Sequence, residues 1–116
     1  MIRIKRAYDP SAPDDGRRVL VDRLWPRGMA REKAQVDEWL KDVAPSAALR
    51  SWFGHDPAKW DEFRERYRQE LADHPDQLEN LKRMAEQGTV TLLFAAKDQE
   101  RNNAVVLKGL LEGKHS

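Results

Sequence analysis

Apolar and polar residues alternate at the start of the chain, where Ile2 and Ile4 are interleaved with Arg3 and Lys5. That period of two, with one wet face, predicts a β-strand over residues 2–6. The stretch Asp9 to Gly16 is dense in Pro, Asp and Gly and reads as a loop. Val19-Leu20-Val21 is a continuous apolar run between Arg18 and Asp22, and predicts a strand over 18–22 that is buried on both faces. Trp25-Pro26 stops it, because proline cannot donate to a ladder. Val90, Leu92, Leu93 and Phe94 give a second doubly buried strand within 89–96. Residues 30–44 fit two elements. Val36, Trp39, Leu40 and Val43 stand at i, i+3, i+4 and i+7, a helical stripe. A short helix near Arg31-Glu32-Lys33, followed by a strand across 37–40, is equally compact.

The helical signals are stronger further on. Ser46 is an N-cap residue ahead of Leu49, Trp52 and Phe53, and Gly54 ends that helix. Asp56-Pro57 opens the next, as cap and first-turn proline. Its apolar stripe is Trp60, Phe63, Tyr67 and Leu71, which are expected in the core. Pro75 starts a helix carrying Leu78, Leu81 and Ala85, with acids early and bases late as the helix dipole favours, and Gly88 ends it. The last helix begins near Asn102, turns Ala104, Leu107, Leu110 and Leu111 inward, and stops at Gly113. Doubly buried strands separated by helices imply an α/β fold: one small domain over 1–116, with a short, mainly parallel sheet and helices on both faces. Ligands of such sheets bind outside the carboxyl ends of the strands.

Composition narrows the function classes. With 116 residues there is room for one core, and 40% hydrophobic residues are enough to build it. Twenty-one basic and 20 acidic residues leave a net charge of +1, so bulk charge does not favour nucleic acid or a membrane surface. Absence of cysteine excludes disulfides, thiolate metal sites and thiol catalysis. Residues 1–6 carry no apolar core of a signal peptide, and no apolar run approaches the roughly 20 residues of a membrane span. The expected location is the cytoplasm.

Candidate chemistry gathers after the two buried strands. Asp22-Arg23-Leu24-Trp25-Pro26-Arg27-Gly28 places two arginines, a tryptophan and a glycine on one loop. Arginine offers a planar fork of donors for carboxylate or phosphate, tryptophan a stacking face, and glycine a close backbone approach. The bland alternative is that Trp25 plugs the core and the arginines pair with Asp22 and Asp9. Lys97, Asp98 and Asn102 follow the second strand. Asp98 is either a cap or a general base, and Asn102 either a cap or a ligand contact. If the strands are neighbours, Arg23, Arg27, Lys97 and Asp98 line one crevice, with Trp25 at its wall and Asn102 at its mouth. Of the three histidines, His74 reads as a surface cap and His115 as frayed. His55, on a tight turn, is the one to test as an acid–base group. None stands at metal-ligand spacing, so neither a metal nor a cofactor is expected. The helix after Pro57 mixes Arg64, Arg66 and Arg68 with Asp61, Glu62, Glu65 and Glu70, a solvated face rather than a groove-binding one.

Val21-Asp22-Arg23-Leu24-Trp25-Pro26-Arg27-Gly28 resembles the opening signature of the YeaO-like family of uncharacterised bacterial proteins, domain-of-unknown-function family 488. Further resemblance lies in Ala44-Pro45-Ser46 with Leu49-Arg50, in Arg66-Tyr67 with Glu70-Leu71, and in Leu92 to Asp98 with Asn102 and Ala104 to Leu107. The resemblance implies a small cytoplasmic α/β protein and no defined activity. It also leans toward the strand reading of 37–40. Two departures stand out: Phe94 where the family often has tyrosine, and Asn103 where it often has histidine. The preferred reading is binding or turnover of a small anionic ligand, a nucleotide or phosphorylated metabolite. The alternatives are nucleic-acid binding or processing through the Arg/Trp loop, with Trp25 stacking on a base, and a non-enzymatic partner-binding module using Trp39 or Trp52. The oligomeric state is not encoded in any of these patterns.

Overall fold

Three of the four strands lie where the hydrophobic pattern puts them. The computed structural model describes residues 1–113 and has β1 (Ile2–Arg6), β2 (Arg17–Leu20), β3 (Glu38–Trp39) and β4 (Val90–Phe94) in one sheet of order β1-β4-β2-β3. Every pairing is parallel. The carboxyl ends of β2 and β4 fall two residues short of the expected 22 and 96, while β2 begins one residue early, at Arg17, and β4 one residue late, at Val90. Val21 still donates its N–H to Leu93 O at 3.1 Å, but the chain leaves the ladder there.

The ambiguous segment resolves into a one-turn helix, α1 (Arg31–Ala34), and the edge strand β3. The helical spacing was deceptive because its apolar residues serve two clusters. Val36 and Trp39 pack against Ala7, Leu20 and Leu93, whereas Val43 and Leu40 join the main core.

The remaining helices are α2 (Ala47–Phe53), α3 (Trp60–Leu71), α4 (Pro75–Gln87) and α5 (Asn103–Leu111). Ser46 caps α2 by accepting from Leu49 N at 3.1 Å, and the Glu70 carboxylate on α3 accepts from both the N–H and the hydroxyl of Ser46. Asp56 caps a single 3₁₀ turn (Pro57–Lys59), so α3 starts at Trp60. Phe63, Tyr67 and Leu71 are buried as expected. Trp60 is not: in the first turn it packs on Phe53 and Phe63 but stays half-buried under Arg64. Leu110 is likewise only partly buried, and Val106 takes the inward place beside Leu107.

The two faces of the sheet differ. Ile2, Val19, Val90, Leu92 and Phe94 point into the main core, which α2 to α5 cover. The opposite face carries Arg3, Lys5, Arg18 and Thr91 along with Leu20 and Leu93, and is covered by loops and α1 rather than by a long helix. Its centre is Asp15, fully buried, bonded to Arg18 at 2.5 Å and Lys5 at 3.1 Å, and accepting from Ala12 N. Arg18 spends its other donors on Ala34 O and Gln35 O. Burial pushes the Asp15 carboxyl up, but the bonds from Ala12, Lys5 and Arg18 outweigh it and hold the group below the usual aspartate range. Gly16 makes this end of β2 possible. At φ +63° it sits where a Cβ would stand 2.1 Å from Thr89 O.

His115 lies outside the described residues. Among those described, no helix is long and apolar enough to cross a membrane.

Candidate functional site at the carboxyl ends of the strands

The carboxyl ends of β1, β2 and β4 open on one cleft of about 510 Å³. Tyr8 comes from the end of β1, Asp22 to Arg27 from the loop after β2, and Ala95 and Ala96 from the end of β4. The far wall is built by α2, with Arg50, Ser51 and Phe53, by His55 and by Phe63 of α3. The first residues of α5 close it. Three backbone anchors fix the shape. Tyr8 Oη donates to Arg27 O at 2.9 Å, Arg6 clamps Ala95 O and Ala96 O, and Trp25 Nε1 donates to Met29 O at 2.8 Å.

The residues expected to form one crevice separate into two groups. Arg23, Trp25, Arg27, Asn102 and His55 all line the cleft. Lys97 and Asp98 do not. Strand β4 ends at Phe94 rather than Ala96, so the chain has already turned away when it reaches them. Lys97 is exposed. Asp98 caps its own turn, accepting from Glu100 N at 2.9 Å and Arg101 N at 3.0 Å and pairing with the Arg101 guanidinium at 3.3 Å. Those two backbone N–H groups, then Arg101, hold its carboxyl below the usual range, which suits a cap and not a general base. Gly28, at φ +76°, turns the loop and lies outside the lining.

Asn102 is committed to structure as well. Its Oδ1 accepts from Val105 N as the N-cap of α5, and its Nδ2 donates to Asp98 O. His55 holds a left-handed backbone at φ +57°, and its ring tilts against Phe53 at 6.1 Å. Among the described residues it takes no orienting hydrogen bond.

Of the lining residues not singled out from the sequence as ligand contacts, three shape the charge and hydrogen bonding of the cleft. Asp22 emerges at the end of β2, where Oδ2 accepts from Ala95 N at 2.9 Å and Oδ1 from Asn103 Nδ2 at 3.0 Å. Burial pushes its carboxyl up, partly offset by those two bonds and by the charges of Arg50 and His55. Asn103 is buried and also donates to Val21 O. Arg50, an exposed position of α2, turns its charge toward the cleft. Asp22 stood in the strand-end loop but was read only as a partner for the arginines, and Arg50 and Asn103 were missed because α2 and α5 reach this edge through tertiary packing.

The bland outcome, arginines neutralised by local acids, does not describe the cleft. Arg3, Arg17, Arg18, Arg64, Arg66 and Arg101 all pair with carboxylates. Among the described residues Arg23, Arg27 and Arg50 do not, and the Arg23 Nε makes only a long 3.4 Å contact to Pro45 O. Each tryptophan ring has a cation over it: Arg31 on Trp25, Lys41 on Trp39, Arg66 and Lys59 on Trp52, and Arg64 on Trp60.

A parallel four-stranded α/β domain of this sequence falls in a known family. Its whole length, residues 1–116, matches the model described as the inactive DUF488-N3 subclade, and the chain belongs to that family. Among its relatives are the uncharacterized protein Rv3073c of Mycobacterium tuberculosis (strain ATCC 25618 / H37Rv), 43% identical over 113 residues that cover 97% of this chain and 95% of the relative. Uncharacterized protein YeaO of Escherichia coli (strain K12) is 43% identical over 106 residues, 91% of this chain and 92% of that protein. No solved structure matches it.

Proposed function

We propose that the protein binds a small anionic ligand in this cleft without turning it over, and that Arg23, Arg27 and Arg50 hold the anion. The observation that carries the reading is the pairing contrast. Six arginines elsewhere pair with carboxylates, while these three, with no carboxylate ion pair among the described residues, line one concave site at the strand ends. A cleft of about 510 Å³ is within the usual range for small ligands, roughly 300–1,000 Å³. Binding is favoured over turnover by the subclade's description as inactive. It is also favoured by a histidine with no orienting partner among the described residues and by Asn103, an amide that does not titrate and so cannot act as an acid or base, where the resemblance leads one to expect histidine. The protein is taken to be cytoplasmic, where phosphorylated metabolites are abundant. Nucleic-acid binding draws less support, since Arg31 already covers a face of Trp25.

Calorimetric titration with inorganic phosphate and ribose 5-phosphate tests the reading. Binding is expected, and Arg27→Ala and Arg50→Ala should each weaken it about tenfold, the loss of one charge-assisted hydrogen bond. If neither phosphate binds at millimolar concentration, or both variants bind as tightly as the parent, the proposal fails.

A further inference from the structure

The cleft is graded from rim to floor. Arg23, Arg27 and Arg50 are exposed at the rim, whereas Phe53, Phe63 and Asn103 are buried at 6%, 2% and 9% exposure and Asp22 is half-buried. Phe53 and Phe63 stack on each other at 4.4 Å and 24°, so the inner wall is apolar. The donors at the floor are already spent. Ala95 N–H goes to Asp22 Oδ2, the Asn103 amide nitrogen gives its two hydrogens to Val21 O and Asp22 Oδ1, and Trp39 Nε1 donates to Asp22 O at 2.7 Å. Two acceptors on the same side fix the orientation of the Asn103 amide. What remains at the floor is acceptors only. The Asp22 carboxylate has about four lone-pair positions and the described residues fill two of them, and among the described residues the Asn103 side-chain carbonyl accepts no hydrogen bond.

An acceptor-only floor under a cationic rim selects a ligand with an anion at one end and N–H donors at the other. The apolar wall between them suits an uncharged body such as a heterocyclic base. We infer that the ligand is a mononucleotide whose base offers adjacent N–H donors, as the guanine edge does, to Asp22 and Asn103 while its phosphate meets the arginines. The inference rests on the anion reading and adds Asp22 as the residue that determines specificity. A simple sugar phosphate fills the rim and leaves the floor's acceptors unused, and a base without donors sets its own lone pairs against them.

The test compares three probes on the unmodified protein: guanosine 5′-monophosphate, purine riboside 5′-monophosphate, which lacks both donors, and ribose 5-phosphate. Guanosine 5′-monophosphate should bind about tenfold or more tighter than either of the others, the worth of a hydrogen bond to a charged acceptor. Asp22→Asn, which replaces a floor acceptor by a donor, should abolish that preference and leave ribose 5-phosphate affinity unreduced. Equal binding of the three probes overturns the inference while the anion reading stands. A preference that survives in Asp22→Asn overturns the role of Asp22. No binding of any probe, ribose 5-phosphate included, defeats the anion reading and this inference together. The wild-type comparison decides the ligand class even if the variant folds poorly.

Discussion

Two aspartates bracket β2, and they are satisfied in opposite ways. Asp15, before the strand, is fully buried between Arg18 and Lys5, with its charge matched by cations and its carboxyl held low. Asp22, after the strand, is bound by neutral donors, the Ala95 N–H and the Asn103 amide, and burial raises its carboxyl. The glycines nearby repeat the contrast. Gly16 is pressed against Thr89, whereas a Cβ on Gly28 would meet nothing within 4 Å. One end of the strand is closed and charge-matched, as a structural joint must be. The other is open: the charges of Arg50 and His55 reach Asp22, but among the described residues no ion pair closes on it, and a site whose groups do not all satisfy one another has something left for a ligand.

The largest effect should come from the closed end. Asp15→Ala strands Arg18 as a buried cation and should cost on the order of 3–5 kcal/mol in denaturant unfolding. A loss below about 1 kcal/mol would show that the pair is not what holds that face. Gly16→Ala should cost about 2–5 kcal/mol, combining roughly 1–2 for a left-handed backbone with about 1–3 for overpacking against Thr89 O. At the open end Gly28→Ala meets only the backbone term and should lose about 1–2 kcal/mol, visible as a shift of the urea midpoint with unchanged slope. Equal losses at the two glycines would erase the contrast between the ends.

The smallest effect, and the most diagnostic, lies in pH. Asp15 has a folded pKa below its ordinary 3.8, so its contribution to stability is present above that value and is lost as pH falls through the folded pKa. Asp22 has a folded pKa above 3.8, so its contribution is present below that value and is lost as pH rises through the folded pKa. Asp15→Asn should therefore flatten the acid limb of the stability profile. Asp22→Asn should remove the decline in stability that sets in as pH rises above the ordinary aspartate value of 3.8. Unfolding curves measured from pH 3 to pH 7 on both variants check the signs, and two profiles moving in the same direction would refute the assignment.

Much of the fold was legible in the chain. Val19-Leu20-Val21 and the run ending at Phe94 are buried on both faces because both faces of the sheet are covered, and no other role suits them. The strand β3 was hard to see because two residues carry no period, and their neighbours divide between two clusters. The candidate site was half legible. Arg23, Trp25 and Arg27 sit on the loop directly after a strand, so the rule about strand ends places them. Lys97 and Asp98 were carried too far along a strand read two residues too long. The pairing of Asp22 with Asn103 spans 81 residues and depends on how α5 lies across the sheet, which no local pattern encodes.

The strand order has a consequence for how the chain acquires its shape. The last strand made, β4, is the one inserted between β1 and β2, which do not pair with each other. A chain emerging from the ribosome therefore holds β1 without a partner and β2 open on one side until Val90 to Phe94 arrive, and the sheet closes late, by contacts that span more than 70 residues. Such distant pairing makes folding slow for a chain this size and leaves the nascent form exposed to misassociation. The cleft, formed where β1, β2 and β4 end together, exists only after that final insertion, so any ligand reports on finished molecules alone.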